Sequence, residues 1–246
     1  MGRMPSVLLH PEPLTSRAQR FLAQHARVVR VDLGADDAVC RVRLDEVFGS
    51  HDDAVLIALR CVQGRYSGLT YDSLYMREQV YFAPVLDPDE GDEKVEFLYA
   101  VCPTTASGVG ASLLPDGTVI IGWEQDEVCA FPSLDHLIEC DALLDEAQNA
   151  QLIAIHSGED VESVLGELRV QRPALRLMEE ASGRTVQWWA DDDVLVYLCR
   201  TWAALWGTVQ PTLRVWSSYG LVKVDPVQLQ RRSRGSVSTD NGSAGR

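Results

Sequence analysis

Residues 113–144, LLPDGTVIIGWEQDEVCAFPSLDHLIECDALL, decide the fold reading. Pro115-Asp116-Gly117 is a turn with a mechanism: proline presets φ and glycine accepts a positive one. TVIIGW (118–123) is an apolar strand. EQDE (124–127) is a polar turn, and VCAF (128–131) reads as the returning strand. Pro132-Ser133 then opens a helix, with Ser133 at the N-cap position and Asp135 and His136 in the first turn. Leu134, Leu137, Ile138, Leu144 and Ala147 supply an apolar face, interrupted at Asp141, and the helix is expected to end near Ala150.

Working outward on the N-terminal side, Thr15 or Ser16 caps a helix to about Ala26, and VVRVDL (28–33) alternates as a short strand. Residues 40–47 fit either helix or strand. Asp52–Val62 is a helix with a stripe of Val55, Leu56, Leu59 and Val62, ended by Gly64. Tyr66–Leu74 is a loop or edge strand. Gln79–Leu86 and Lys94–Cys102 flank the acidic tip DPDEGDEK (87–94) as a β-hairpin, and residues 107–114 offer a further strand. On the C-terminal side a second part opens at His156-Ser157-Gly158. It holds a helix over 159–168, strands near 174–178 and 212–218, and a hairpin of 185–190 and 194–200 around Asp191–Asp193. These elements predict an α/β protein of the α+β type. Its predominantly antiparallel sheet is flanked by helices and followed by a smaller C-terminal α+β part. The expected organisation is a flexible arm (1–14), an α/β domain (15–150), a smaller part (156–225) and a disordered tail (226–246).

Charge narrows the class of partner. The net charge is −14 over 246 residues, but the first 30 residues carry +4 and the last 21 carry +3, which leaves −21 on residues 31–225. A body that acidic repels nucleic-acid phosphate and anionic lipid and attracts a basic protein. No apolar run reaches the ~18 residues of a membrane span. The opening residues lack the apolar core of a signal peptide, so the expected compartment is the cytoplasm. Six cysteines without paired spacing read as reduced thiols in such a compartment.

TVIIGW, its acidic turn and FPSLDHLIE together resemble the SUKH superfamily of small α/β proteins, many of whose bacterial members neutralise toxins. The residues that carry the resemblance are Gly117, Val119 to Trp123, Glu124 to Glu127, and Ser133 to Leu137, with a second match at Ala54–Val62 followed by GRYSGLTYDS. It covers residues 15–150. The chain lacks a clean Leu-Pro-x-x-Tyr segment before the first core helix, and residues 156–225 lie outside the pattern. The resemblance implies an immunity-type binding protein with no catalytic signature.

No motif marks an enzyme. The sequence holds no HExxH, no Cys-His pair at ligand spacing, no GxSxG, no GK[ST] after the glycines of SGVGAS and no GxGxxG. DPDEGDE lacks the alternation and the closing Glu of a calcium loop. The sequence therefore predicts no cofactor and no metal. A Cys-His hydrolase built from Cys129 or Cys140 with His136 or His156 would need the fold to bring those partners together. The candidate partner-binding residues are Asp89, Glu90, Asp92 and Glu93 at the first tip and Asp191, Asp192 and Asp193 at the second. Tyr66 and Tyr71 in the aromatic-glycine stretch join them, with Trp123, Glu124 and Asp126 around the central turn. The expected partner is a basic protein, with no nucleic acid and no membrane, met by a monomer or weak homo-oligomer. A scaffold that self-associates through the Trp-rich C-terminal part is the alternative.

Overall fold

The structure, a computed structural model, describes residues 4–50, 52–100, 110–123 and 126–217; for Tyr99, Ala100, Trp123 and Asp126 it describes the backbone alone. Four helices open the chain around one short strand: α1 (Ser6–Leu9), α2 (Ser16–His25), β1 (Arg27–Val28), α3 (Asp37–Phe48) and α4 (Asp53–Tyr66). β2 (Leu69–Ser73), β3 (Glu78–Val85), β4 (Phe97–Ala100), β5 (Ala111–Leu113), β6 (Val119–Trp123) and β7 (Asp126–Phe131) follow, and β1–β7 form an antiparallel meander in sequence order. After α5 (Leu134–Gln148) come β8 (Gln151–Ser157), α6 (Val161–Gln171), β9 (Arg176–Leu177), β10 (Val186–Ala190), β11 (Val194–Cys199), α7 (Thr201–Trp206) and β12 (Thr212–Ser217). They build a second antiparallel sheet in the order β8-β12-β11-β10-β9. This is the expected α+β fold.

α5 is the axis of the molecule. Ten of its fifteen residues are buried, including Glu139 and Asp141, so no side of this helix is given over to water. One hydrophobic cluster runs around it, joining Phe82, Phe97 and Phe131 of the first sheet to Trp188, Tyr197 and Trp216 of the second. The chain division expected near residue 150 is therefore not a division of the core. β11 is buried at every position: Leu195, Tyr197 and Cys199 face the α5 side, while Val194, Val196 and Leu198 pack with Val161, Leu165 and Leu168 of α6. The sheets also meet along the backbone, where Arg184 N–H donates to the Ala130 carbonyl (3.1 Å). Gly183 lies so close that a Cβ there would fall 1.9 Å from that carbonyl oxygen.

Local chemistry explains most element ends. The Pro115-Asp116-Gly117 turn closes as expected, with Gly117 N–H donating to the Leu114 carbonyl (2.8 Å) at φ +93°. Thr15 caps α2 by accepting from Ala18 N–H (3.3 Å). Residues 40–47, ambiguous in sequence, lie within α3, which Asp36 caps by accepting from Val39 N–H (3.0 Å) and Gly49 ends in the left-handed conformation.

Four expectations need correction. Of the strand expected over 28–33, only Val28 joins the sheet, together with Arg27 before it, and Asp32 instead turns the chain by accepting from Gly34 N–H (3.0 Å). Gly64 does not end α4, which runs on to Tyr66. His156 and Ser157 close β8 instead of opening a new part. The arm is packed where it is described, because Val7 and Leu14 are buried in the main core.

Candidate docking surface

The buried acids of α5 are the natural place to look for chemistry, and each is committed to structure. Asp141 is fully enclosed. It accepts from Tyr71 Oη (3.0 Å), from Ser73 Oγ (3.0 and 2.9 Å) and from Tyr75 N–H (2.8 Å). Burial raises its pKa to about 6 even though those donors pull the other way. Glu139 accepts from Thr15 N–H (2.6 Å) and Thr15 Oγ1 (2.7 Å), and Arg17 lies 3.2 Å away, so it fixes the start of α2. Asp135 is bound through both oxygens by Arg65 (3.1 and 2.9 Å) and by Tyr66 Oη (2.8 Å), which ties down the end of α4. One helix thus clamps α2, α4 and β2 with three carboxylates.

Nucleophiles are held in the same way. Cys140 receives the Trp188 indole N–H (3.3 Å), and burial pushes its thiol well up. His136 shares a hydrogen bond with Ser133 Oγ (2.8 Å), and burial lowers its pKa. Ser133 therefore spends its hydroxyl on His136 instead of on the α5 backbone. Among the described residues neither Cys129 nor Cys140 shares a hydrogen bond with a histidine. Among the described residues no group of three His, Cys, Asp or Glu side chains is placed to hold a metal ion.

The sequence-predicted site residues separate into three kinds. Tyr66 and Tyr71 are buried, their hydroxyls spent on Asp135 and Asp141, so they face the core and not a partner. The second acidic tip is only partly open. Arg172 binds Asp191 through two nitrogens (2.7 and 3.0 Å) and Asp193 through one (2.7 Å). Asp191 also accepts from the N–H groups of Asp193 and Val194 (2.9 Å each). Burial opposes ionisation of Asp191, yet these donors hold its carboxyl below the usual range. Asp192 alone of the three is exposed. Trp123 and Asp126 pair across the end of the β6–β7 hairpin, and Glu124 lies outside the described residues.

The first tip is different. Asp89, Glu90, Asp92 and Glu93 are all exposed, and among the described residues none has an ion-pair partner. Among the described residues the one side-chain hydrogen bond of the four is local, from Asp89 N–H to Asp92 Oδ2 (2.9 Å). The tip is anchored at its base, where Arg43 of α3 forms an ion pair with Asp87, and beyond it Lys94 bridges Glu96 and Glu127.

That anchor brings α3 into the site, which sequence reading missed. Val39 and Val42, one helical turn apart on the side opposite the buried Cys40 and Leu44, are 45% and 56% exposed. Ile57 on the adjoining α4 is 64% exposed. The two helices are laced by Arg41–Asp53 (2.9 Å) and Arg60–Asp37 (2.6 Å), with a shallow groove of about 450 Å³ between them over Leu56, Ile57 and Cys61. The candidate surface therefore combines exposed Val39 and Val42 of α3 with the four tip carboxylates that have no ion-pair partner among the described residues, linked through the Arg43–Asp87 ion pair. The signal in the sequence was the apolar residues distributed around α3, which gave no one-sided stripe because some of them face outward.

No family model matches this chain, and neither the curated proteins nor the solved structures include one significantly similar to it.

Proposed function

We propose that this chain is a non-enzymatic binding protein that docks a basic protein partner on its α3 face and β3–β4 tip. In the sharpest form of this reading it is a cytoplasmic immunity protein that masks a toxin by occlusion, with no bond made or broken. The observation that carries it is the contrast between acids. Asp135, Glu139, Asp141 and Asp191 are all satisfied internally, whereas Asp89, Glu90, Asp92 and Glu93 are exposed, without an ion-pair partner among the described residues, on a tip that Arg43 ties to α3, the helix that carries exposed Val39 and Val42. An apolar centre with a charged rim is the usual anatomy of a protein interface, and rim charge speeds encounter and sets register. The test uses full-length protein as bait in its native host, with two variants: Asp89, Glu90, Asp92 and Glu93 all changed to Lys, and Val42→Glu. One stoichiometric basic partner, captured by the wild type and lost in both variants, is the expected result. A partner retained by both variants contradicts the proposal.

A specific feature favours a second reading, the self-associating scaffold. β8 is an edge strand, paired on one side with β12, and QLIAIHS contains no charge and no proline. Leu152 and Ile155 on it are 45% and 57% exposed. Such an edge is a template for pairing with a second copy. Of the tryptophans in this part, Trp188 and Trp216 are buried and Trp189 is covered by the Arg169 guanidinium at 4.3 Å, while Trp206 is 46% exposed and stacks on Trp202. A dimer in solution that Ile155→Lys returns to monomer supports the scaffold; a monomeric wild type removes it.

A further inference from the structure

Next to the α3–α4 groove, with Arg60 on the wall of both, lies a cavity of about 400 Å³ between α4, the segment after β1 and the start of α1. Met4, Pro5, Val29 and Leu33 give it apolar walls. Among the described residues its charged lining is Arg30 and Arg60, with no carboxylate. Arg60 is occupied: its nitrogens donate to Asp37 (2.7 Å), to Gln63 Oε1 (2.6 Å) and to the Ala35 carbonyl (3.0 Å). Gln63 is occupied too, donating to the carbonyls of Leu33 (2.9 Å) and Pro84 (2.8 Å). Arg30 is not. In a chain with 36 acidic residues, it has no ion-pair partner among the described residues.

Gly64 gives an independent indication that the space is kept open. It lies within α4, where glycine is unfavourable, and it needs no left-handed backbone. A Cβ built there meets nothing within 4 Å, so close approach of another chain segment does not explain it either. What its missing side chain leaves vacant is the cavity wall.

We propose that this cavity binds a small amphipathic carboxylate, with its apolar body against Val29, Leu33 and Met4 and its carboxylate on the Arg30 guanidinium. The volume is in the range of small-molecule sites. A guanidinium presents the forked donors that match a carboxylate. The proposed ligand contacts, Arg30, Val29, Leu33 and Met4, are not part of the docking surface, although Arg60 lines both the cavity and the neighbouring groove.

Octanoate is the probe, octanamide the uncharged control of the same length, and binding to the full chain is read by calorimetry. The wild type should bind octanoate at millimolar concentration or below. Arg30→Gln should weaken octanoate by about tenfold or more, the loss of one charge-assisted contact, and leave octanamide unchanged. Gly64→Phe should abolish binding of both by filling the cavity. Gly166→Phe, at a helical glycine whose Cβ also meets open space but which does not line this cavity, should bind like the wild type. Arg30 is exposed, so its variant keeps the test valid if Gly64→Phe does not fold. No octanoate binding by the wild type, equal losses of octanoate and octanamide in Arg30→Gln, or undiminished binding by folded Gly64→Phe would each overturn the proposal.

Discussion

Replacing Asp141 with Asn should make the protein relatively more stable as pH rises. Burial lifts the Asp141 pKa from 3.8 to about 6 in the folded state, so the folded protein holds this proton more tightly than the unfolded chain does. The stabilising contribution is fully present below about pH 4 and is lost as pH rises through about 6. The shift of about two units corresponds to roughly 3 kcal/mol at 1.36 kcal/mol per unit. Asn has nearly the shape of the protonated acid. Its Oδ1 can still accept from Tyr75 N–H, and its Nδ2 can donate to the Tyr71 hydroxyl in place of accepting from it. The assay is urea unfolding of wild type and Asp141→Asn at about pH 4 and about pH 8. Titration of the other carboxylates cancels in the difference between the two proteins. The gap between variant and wild type should move by about 3 kcal/mol in favour of Asn on going to the higher pH. A gap that does not move, or that moves toward the wild type, would refute the reasoning, because it would mean that the three donors outweigh desolvation of the charged form.

Asp141→Ala should destabilise at both pH values by about 1–3 kcal/mol or more, since Tyr71, Ser73 and Tyr75 would lose a shared acceptor in a closed interior; the same urea curves measure it. Arg172→Gln should lower stability by about 1–3 kcal/mol, because Asp191 is left with its side chain nearly buried, and the loss should grow as pH rises through the carboxylate range. Gly64→Ala should stabilise by about 1 kcal/mol in urea, because the methyl group enters open space in a helix. Gly183→Ala should destabilise by about 1–3 kcal/mol or more, since its Cβ would overlap the Ala130 carbonyl and push the two sheets apart.

The sequence was most legible where one local rule acted alone. The PDG turn, the apolar β6, the hairpins about residues 87–94 and 191–193, and the capped α2 all follow from turn chemistry, alternation or capping, and α5 from its apolar spacing, since Ser133 makes no cap hydrogen bond. β8 was lost because its apolar residues do not alternate: a bulge opposite Val215 and Trp216 changes which residues share a face. Residues 40–47 of α3 stayed ambiguous because Val39 and Val42 turn outward, so the helix shows no one-sided stripe. Asp141 looked like an interruption of an apolar face. It is instead a buried acceptor whose donors lie about 70 positions earlier in the chain, a spacing that no local pattern encodes. The acidic tips looked alike in sequence and differ in the fold, because Arg172, nineteen residues before Asp191, reaches one of them.

The docking surface can be tested directly by hydrogen–deuterium exchange on the complex of full-length protein with its captured partner. The account predicts slowed exchange in α3 and in the 86–96 tip, with β8 unchanged. Protection elsewhere, with α3 and the tip exchanging as in the free protein, would contradict it.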